Sequence, residues 1–115
     1  MNRQRRNALH KVLDDLNHLR DPVDKEEAIN IIKKSQIQVE KCCDEEEAAL
    51  DNRPESFQWS SANDDMTDNI SDLSDASSDL GIVLEDCQEM EFFNYDLIKS
   101  DIIKIVNAIK KAIHR

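Results

Sequence analysis

The chain has 115 residues, of which one is Gly, two are Pro and 35% are charged, a composition typical of a single solvated all-α domain. The net charge of −10 is concentrated in residues 44–96, which hold 17 acidic residues and one basic residue. No apolar run approaches the roughly 20 residues of a membrane span, and no secretory signal is visible. Three Cys, two of them adjacent, argue against a disulfide framework, so we expect a cytoplasmic protein.

The N-terminal region predicts two helices that are separated by Asp21 and Pro22. The first lies within residues 1–20 and has an apolar side made of Leu9, Val12, Leu13, Leu16 and Leu19. We expect Asp21 to cap the second helix, residues 22–50, with Pro22 in its first position. The seam of the second helix alternates spacings of three and four, as in a coiled coil, and consists of Ile29, Ile32, Gln36, Val39, Cys43, Glu46 and Leu50.

Two further helices are predicted after a break at residues 51–60, where Pro54 disfavours helix. The third helix, residues 61–91, is capped by Ser60 or Ser61, and its seam consists of Met66, Ile70, Leu73, Ser77, Leu80, Leu84 and Cys87. The fourth helix, residues 96–115, is capped by Asp96. Its apolar stripe consists of Ile98, Ile102, Ile105, Ile109 and Ile113, widened by Leu97, Ile103 and Val106.

The fold class that these elements predict is all-α, with a long antiparallel, coiled-coil-like hairpin and two shorter flanking helices. The second and third helices are each about 30 residues, roughly 45 Å long, and a short connection joins them. In that register Cys43 lies near Leu73 and Gln36 near Leu80. The flanking helices either fold back to make a four-helix bundle or pack on each other and dimerise, because the wide Ile face of the fourth helix must be covered.

The hairpin tip carries the motif through which the chain resembles a known group of proteins. An acidic helix end is followed by an Asp-Asn-x-Pro-Glu-Ser turn, an apolar residue and Gln, here Asp51-Asn52-Arg53-Pro54-Glu55-Ser56-Phe57-Gln58. This segment resembles a signature of small uncharacterised helical-hairpin proteins of bacteriophages and prophages. The resemblance implies a phage origin and a hairpin, and implies no activity.

Acidic residues of the third helix recur at spacings of three, four and seven, which places them on one side of that helix. This acidic ladder consists of Asp65, Asp68, Asp72, Asp75, Asp79 and Asp86. Its members lie roughly 200° from the helix seam, so we expect them on the outer face. Two interpretations remain open: a solvated helix face, or a surface that mimics DNA and occupies a cationic nucleic-acid site.

Outside the acidic ladder, the candidate functional residues are two aromatic residues at the hairpin tip and the cysteines. Phe57 and Trp59 stand in the tip, either as an apolar plug over the hairpin end or as anchors in a partner protein. The sequence contains no Gly-turned calcium loop, no zinc-ligand spacing and no recognisable catalytic motif, so we expect no metal, no cofactor and no enzymatic activity. Cys43 and Cys87 fall on seam positions and are expected to be buried free thiols.

These features favour a non-enzymatic, phage-type accessory protein that binds a protein with a basic surface and neither nucleic acid nor a membrane directly. In the most concrete version, the acidic ladder inhibits a host defence nuclease, as an anti-CRISPR or anti-restriction protein acting in the bacterial cytoplasm. The alternative is a structural or assembly coiled-coil protein that forms a homodimer through the fourth helix, with the charge serving solubility.

Overall fold

The computed structural model describes residues 1–54 and 60–115, and these residues form an all-α bundle. The bundle is about 54 Å long and about 21 by 19 Å across. Its helices are α1 (Arg3–Asn17), α2 (Lys25–Asp51), α3 (Ser61–Glu89) and α4 (Lys99–His114), and short 3-10 turns cover His18–Arg20 and Tyr95–Leu97. In the part of the chain described, no helix has the length and apolar character that crossing a bilayer requires.

The start of α2 differs from the sequence prediction. The carboxylate of Asp21 pairs with His18 Nδ1 at 2.8 Å, and the Asp21 backbone N–H closes the 3-10 turn by donating to the His18 carbonyl. Asp21 is therefore engaged with the preceding turn and does not cap the helix. Asp24 takes that role, and its Oδ1 accepts from the Glu27 N–H at 2.8 Å, so that α2 begins three residues later than predicted.

The start of α4 is corrected in the same way, whereas the predicted start of α3 is confirmed. Asp96 does not cap α4, because it lies inside the 3-10 turn and donates its N–H to Asn94 Oδ1 at 3.1 Å. The helix itself begins only after Ile98, whose side chain is fully buried. At the start of α3, Ser60 Oγ accepts from the Asn63 N–H at 3.3 Å, as a serine cap should.

The α2–α3 hairpin is the most extensive helix pair and is confirmed as antiparallel. Lys25 Nζ donates to the Gln88 carbonyl at 2.9 Å near one end of the pair, and Cys43 Sγ lies 3.6 Å from the Ile70 carbonyl towards the other. These contacts agree with the predicted register to within one helical turn. The fully buried seam side chains include Ile32, Val39, Leu73, Leu80 and Cys87.

The two flanking helices fold back on the hairpin, so the four-helix bundle is the arrangement adopted. Along α1, Arg5 lies beside Glu46 of α2, and His18 lies beside Glu27, so these helices are antiparallel. Pairing of α4 with α3 is antiparallel as well. The isoleucine stripe of α4 is at most 4% exposed: Ile98, Ile102, Ile105, Ile109 and Ile113. The chain itself covers this stripe, whereas Leu97 and Ile103, which were predicted to widen it, are 67% and 41% exposed.

Candidate interaction surface

The acidic ladder of α3 lies at the outer edge of the α3–α4 contact rather than on a completely free face. Four of its members are exposed, namely Asp65, Asp68, Asp75 and Asp86. The other two, Asp72 and Asp79, have side chains that are 24% and 27% exposed, because α4 covers them from one side. The ladder therefore divides into exposed carboxylates and carboxylates that are part of the bundle.

Lys104 of α4 and Arg115, which directly follows α4, neutralise the two covered carboxylates. Arg115 forms an ion pair with Asp72, and its Nη1 also donates to Asn69 Oδ1 at 3.3 Å. Lys104 Nζ lies 3.6 Å from Asp79 Oδ2. The periodicity of α3 placed the ladder correctly relative to its own seam, but periodicity within one helix contains no information on where a third helix packs.

A cluster of exposed acidic residues lies at the hairpin tip. α1 begins close to Glu46 and α4 ends close to Asp72, so the last turn of α2 and the first turns of α3 extend past both flanking helices. Five carboxylates on this part are exposed and form what we call the acidic tip: Glu47, Asp51, Asp64, Asp65 and Asp68. The hairpin thus brings together acids of α2 and α3 that are separated in sequence.

Electrostatics along the hairpin reinforce this concentration. α3 contains nine acidic residues and no basic residue. Within the described tip, the basic residue Arg53 is half-buried and turned onto α3, where Nη1 lies 3.5 Å from Met66 Sδ and Nη2 lies 3.4 Å from Ser60 Oγ. A dense field of one sign attracts basic surfaces and repels acidic ones, so the acidic tip is suited to meet a cationic partner.

The second predicted element of the tip is the aromatic pair. Phe57 and Trp59 lie outside the described residues, so their role, as an apolar plug or as anchors in a partner protein, stays a prediction.

The cysteines are free and buried, as the seam pattern predicted for Cys43 and Cys87. Burial, followed by the charge of Glu45, raises the pKa of Cys42 from 9.0 to about 11, and burial raises the pKa of Cys87 to about 11 as well. A thiol with such a pKa is protonated near neutrality and is a poor nucleophile or metal ligand. Among residues 1–54 and 60–115, no group of three or more His, Cys, Asp or Glu side chains is placed to hold a metal ion.

A buried ion pair lies where α1 meets α2, and no pattern in the sequence predicted it. Glu46 is a seam residue with no exposed surface, and its Oε1 lies 3.8 Å from Nη2 of Arg5, whose side chain is 12% exposed. Neither carboxylate oxygen accepts a hydrogen bond within the described part of the chain. The ion pair links α1 to α2, and the arginine is the counter-charge of the buried carboxylate.

Comparison with known proteins identifies no relative, so the function is inferred from the surfaces described above. No protein-family model matches the chain, and no curated protein and no solved structure is significantly similar to it.

Proposed function

We propose that the protein is a non-enzymatic binding protein that uses the acidic tip and the exposed part of the acidic ladder to occupy a cationic site on another protein. The observation that carries this proposal is the unbroken acidic character of α3, together with the meeting of α2 and α3 carboxylates at a projecting end. A surface of this kind resembles a nucleic acid in charge, and the natural partner is a protein groove that binds DNA or RNA.

Charge density favours the two-helix tip over a single helix as the mimic. Carboxylates along one helix face recur at roughly 5 Å, whereas duplex DNA presents one charge per ~1.7 Å of its axis. The row on α2, which consists of Glu40, Asp44, Glu47 and Asp51, is exposed and runs beside the start of α3. At the tip, the exposed acids of α2 and α3 together are more numerous than those of the ladder alone.

The concrete version of the proposal is an inhibitor of a host defence nuclease, encoded by a phage. Its support is the resemblance of the tip motif to small phage and prophage hairpin proteins, combined with the acidic surface on the same part of the molecule. The alternative, an assembly protein that dimerises through α4, is less favoured by the geometry, because the isoleucine stripe that it would use is buried within the chain.

The proposal is tested by neutralising only the exposed ladder residues. A variant with Asp65, Asp68, Asp75 and Asp86 changed to Asn keeps both ion pairs to α4, so we expect unchanged helicity and melting. The assay is phage plating on bacterial strains that each carry one defined CRISPR or restriction system. The wild-type protein should restore plating in at least one strain, and the variant should not.

A matched control removes the same amount of charge elsewhere. Glu26, Glu91, Asp96 and Asp101 are exposed and lie away from the acidic tip, so their change to Gln or Asn should leave inhibition intact. Binding of the purified protein to the nuclease should also weaken steeply between 0.1 M and 1 M salt, as the Debye length falls from about 10 Å to about 3 Å. Full inhibition by the folded ladder variant, or no inhibition of any system, would contradict the proposal.

A further inference from the structure

We propose that a groove between α1 and α4, on the side of the bundle away from the acidic tip, binds a short amphipathic helix of a partner protein that carries acidic residues at both ends of an apolar stripe. This second site goes beyond the proposed function, because α1 and α4 form it and the acidic ladder takes no part in it. The groove has a volume of about 470 Å³.

The floor of the groove is apolar and only partly covered. Leu16 and Ile102 are core residues at its base, and Leu13 and Val106 form its half-buried walls. Ile103 stands at the rim and is 41% exposed, although the sequence placed it on the apolar face of α4. α1 contacts α4 much less extensively than α3 does, which leaves this apolar strip open along the bundle.

The length of the groove matches about three turns of helix. Its lining runs along α1 from His10 to Arg20, and ten residues at 1.5 Å each span about 15 Å. An amphipathic helix that lies in such a groove makes contact through residues spaced i, i+4 and i+7, which span about 10.5 Å and leave about one further turn for the charged ends. An open trough of this shape suits a helix better than an enclosed small molecule, which normally buries most of its surface.

The charge of the rim determines the chemistry of the partner. Arg20 stands at one end, Lys110 and His10 stand at the other, and Asp14 is the acidic residue of the lining. The two helices keep a basic excess after Arg5, Lys104 and Arg115, which pair with carboxylates elsewhere, are left out. Residues 3–20 then carry four basic and two acidic residues, and residues 99–115 carry three and one. A partner with acidic ends is complementary to this rim, and its apolar stripe distinguishes it from a nucleic acid.

Among residues 1–54 and 60–115, no α-helix of a second copy offers the required apolar row, and the exposed Phe92 and Leu97 lie outside the α-helices. The acidic helix faces of that copy carry isolated exposed apolar residues, Ile37 on α2 and Ile82 on α3, rather than a row of them. The stripe needs three apolar residues spaced i, i+4 and i+7, so we assign the groove to a different protein.

The chain contains its own reporter for this site. Tyr95 is the single tyrosine and lines one end of the groove, so 3-fluorotyrosine labelling gives one ¹⁹F resonance there. The probe is a synthetic peptide of about four helical turns, with leucines spaced i, i+4 and i+7 and glutamates at both ends. A matched peptide has lysines in place of the glutamates. We expect the acidic peptide to shift the resonance and saturate, and the lysine peptide to bind at least about tenfold more weakly.

Variants of the chain complete the test. Arg20→Glu combined with Lys110→Glu should weaken the acidic peptide at least about tenfold without lowering the melting temperature, since both side chains are exposed. Lys33→Glu combined with Lys34→Glu, the same charge change on α2, should have little effect. Equal binding of both peptides, or no loss in the Arg20/Lys110 variant, would overturn the proposal. A resonance that shifts with protein concentration alone would also overturn it, because that result would place a second copy in the groove. Displacement of the peptide by laurate, a small amphiphile, would overturn it as well, because that result would assign the groove to a small molecule.

Discussion

The ion pair between Arg5 and Glu46 makes a quantitative prediction about what holds α1 to the hairpin. At 3.8 Å and an effective dielectric constant of about 20, the two charges attract each other by about 4 kcal/mol. Removing the arginine alone leaves a fully buried carboxylate without its counter-charge, which typically costs about 3–5 kcal/mol. We therefore expect Arg5→Met to lower the free energy of unfolding by about that amount.

The paired variants separate the burial of charge from the loss of packing. Glu46→Gln should cost less than Arg5→Met, because it leaves no buried charge and the partly exposed Arg5 can turn towards water. The double variant Arg5→Met/Glu46→Leu should return close to the wild-type stability or exceed it, since apolar replacement of a buried pair is often neutral or stabilising. Urea unfolding followed by far-ultraviolet circular dichroism measures all three. A cost below about 1 kcal/mol for Arg5→Met would refute the buried pair.

Three further predictions concern the core of the hairpin. Leu80→Asp should cost several kcal/mol in urea unfolding, because it puts an unpaired charge in the buried seam, whereas Ile82→Asp, on a side chain that is 57% exposed, should cost little. Gly81→Ala gains up to about 1 kcal/mol of helix propensity, but its methyl group would lie 3.0 Å from Gln36 Nε2, so a thermal melt should show the larger gain in a Gln36→Ala background. Burial raises the pKa of Cys87 from 9.0 to about 11, so the thiol ionises at lower pH in the unfolded chain than in the folded one. The free energy of unfolding should therefore fall as the pH rises from 9 through 11. Cys87→Ala should reduce that fall, and a pH profile unchanged by the substitution would contradict this prediction.

The sequence predicted the features that are encoded within a single helix, and the pairing of two helices that have equal lengths and matching seams. The phased seams gave the antiparallel hairpin, and the spacing of the α4 isoleucines gave a stripe that is now seen to be buried. The predicted helix caps were wrong at two of the three predicted starts. Asp21 and Asp96 have side chains suited to capping, but Asp21 pairs with His18 and Asp96 lies within a 3-10 turn. Contacts between helices far apart in sequence, such as Arg5 with Glu46, leave no periodic signal, and the α1–α4 groove depends on packing angles that no single helix encodes.

The packing of α4 also divides the acidic ladder into two groups that should respond differently to mutation. Asp72 and Asp79 pair with basic residues of α4, and partly exposed pairs of this kind contribute up to about 1 kcal/mol. Asp72→Asn and Asp79→Asn together should thus lower the melting temperature slightly and leave partner inhibition unchanged, because their charge is already neutralised within the bundle. The exposed Asp65 and Asp68 should show the opposite behaviour, with unchanged melting and weakened inhibition. If the Asp72/Asp79 variant lost inhibition while keeping its stability, the partner would have to reach the α3–α4 edge, and the interaction surface would lie along the whole ladder rather than at the acidic tip.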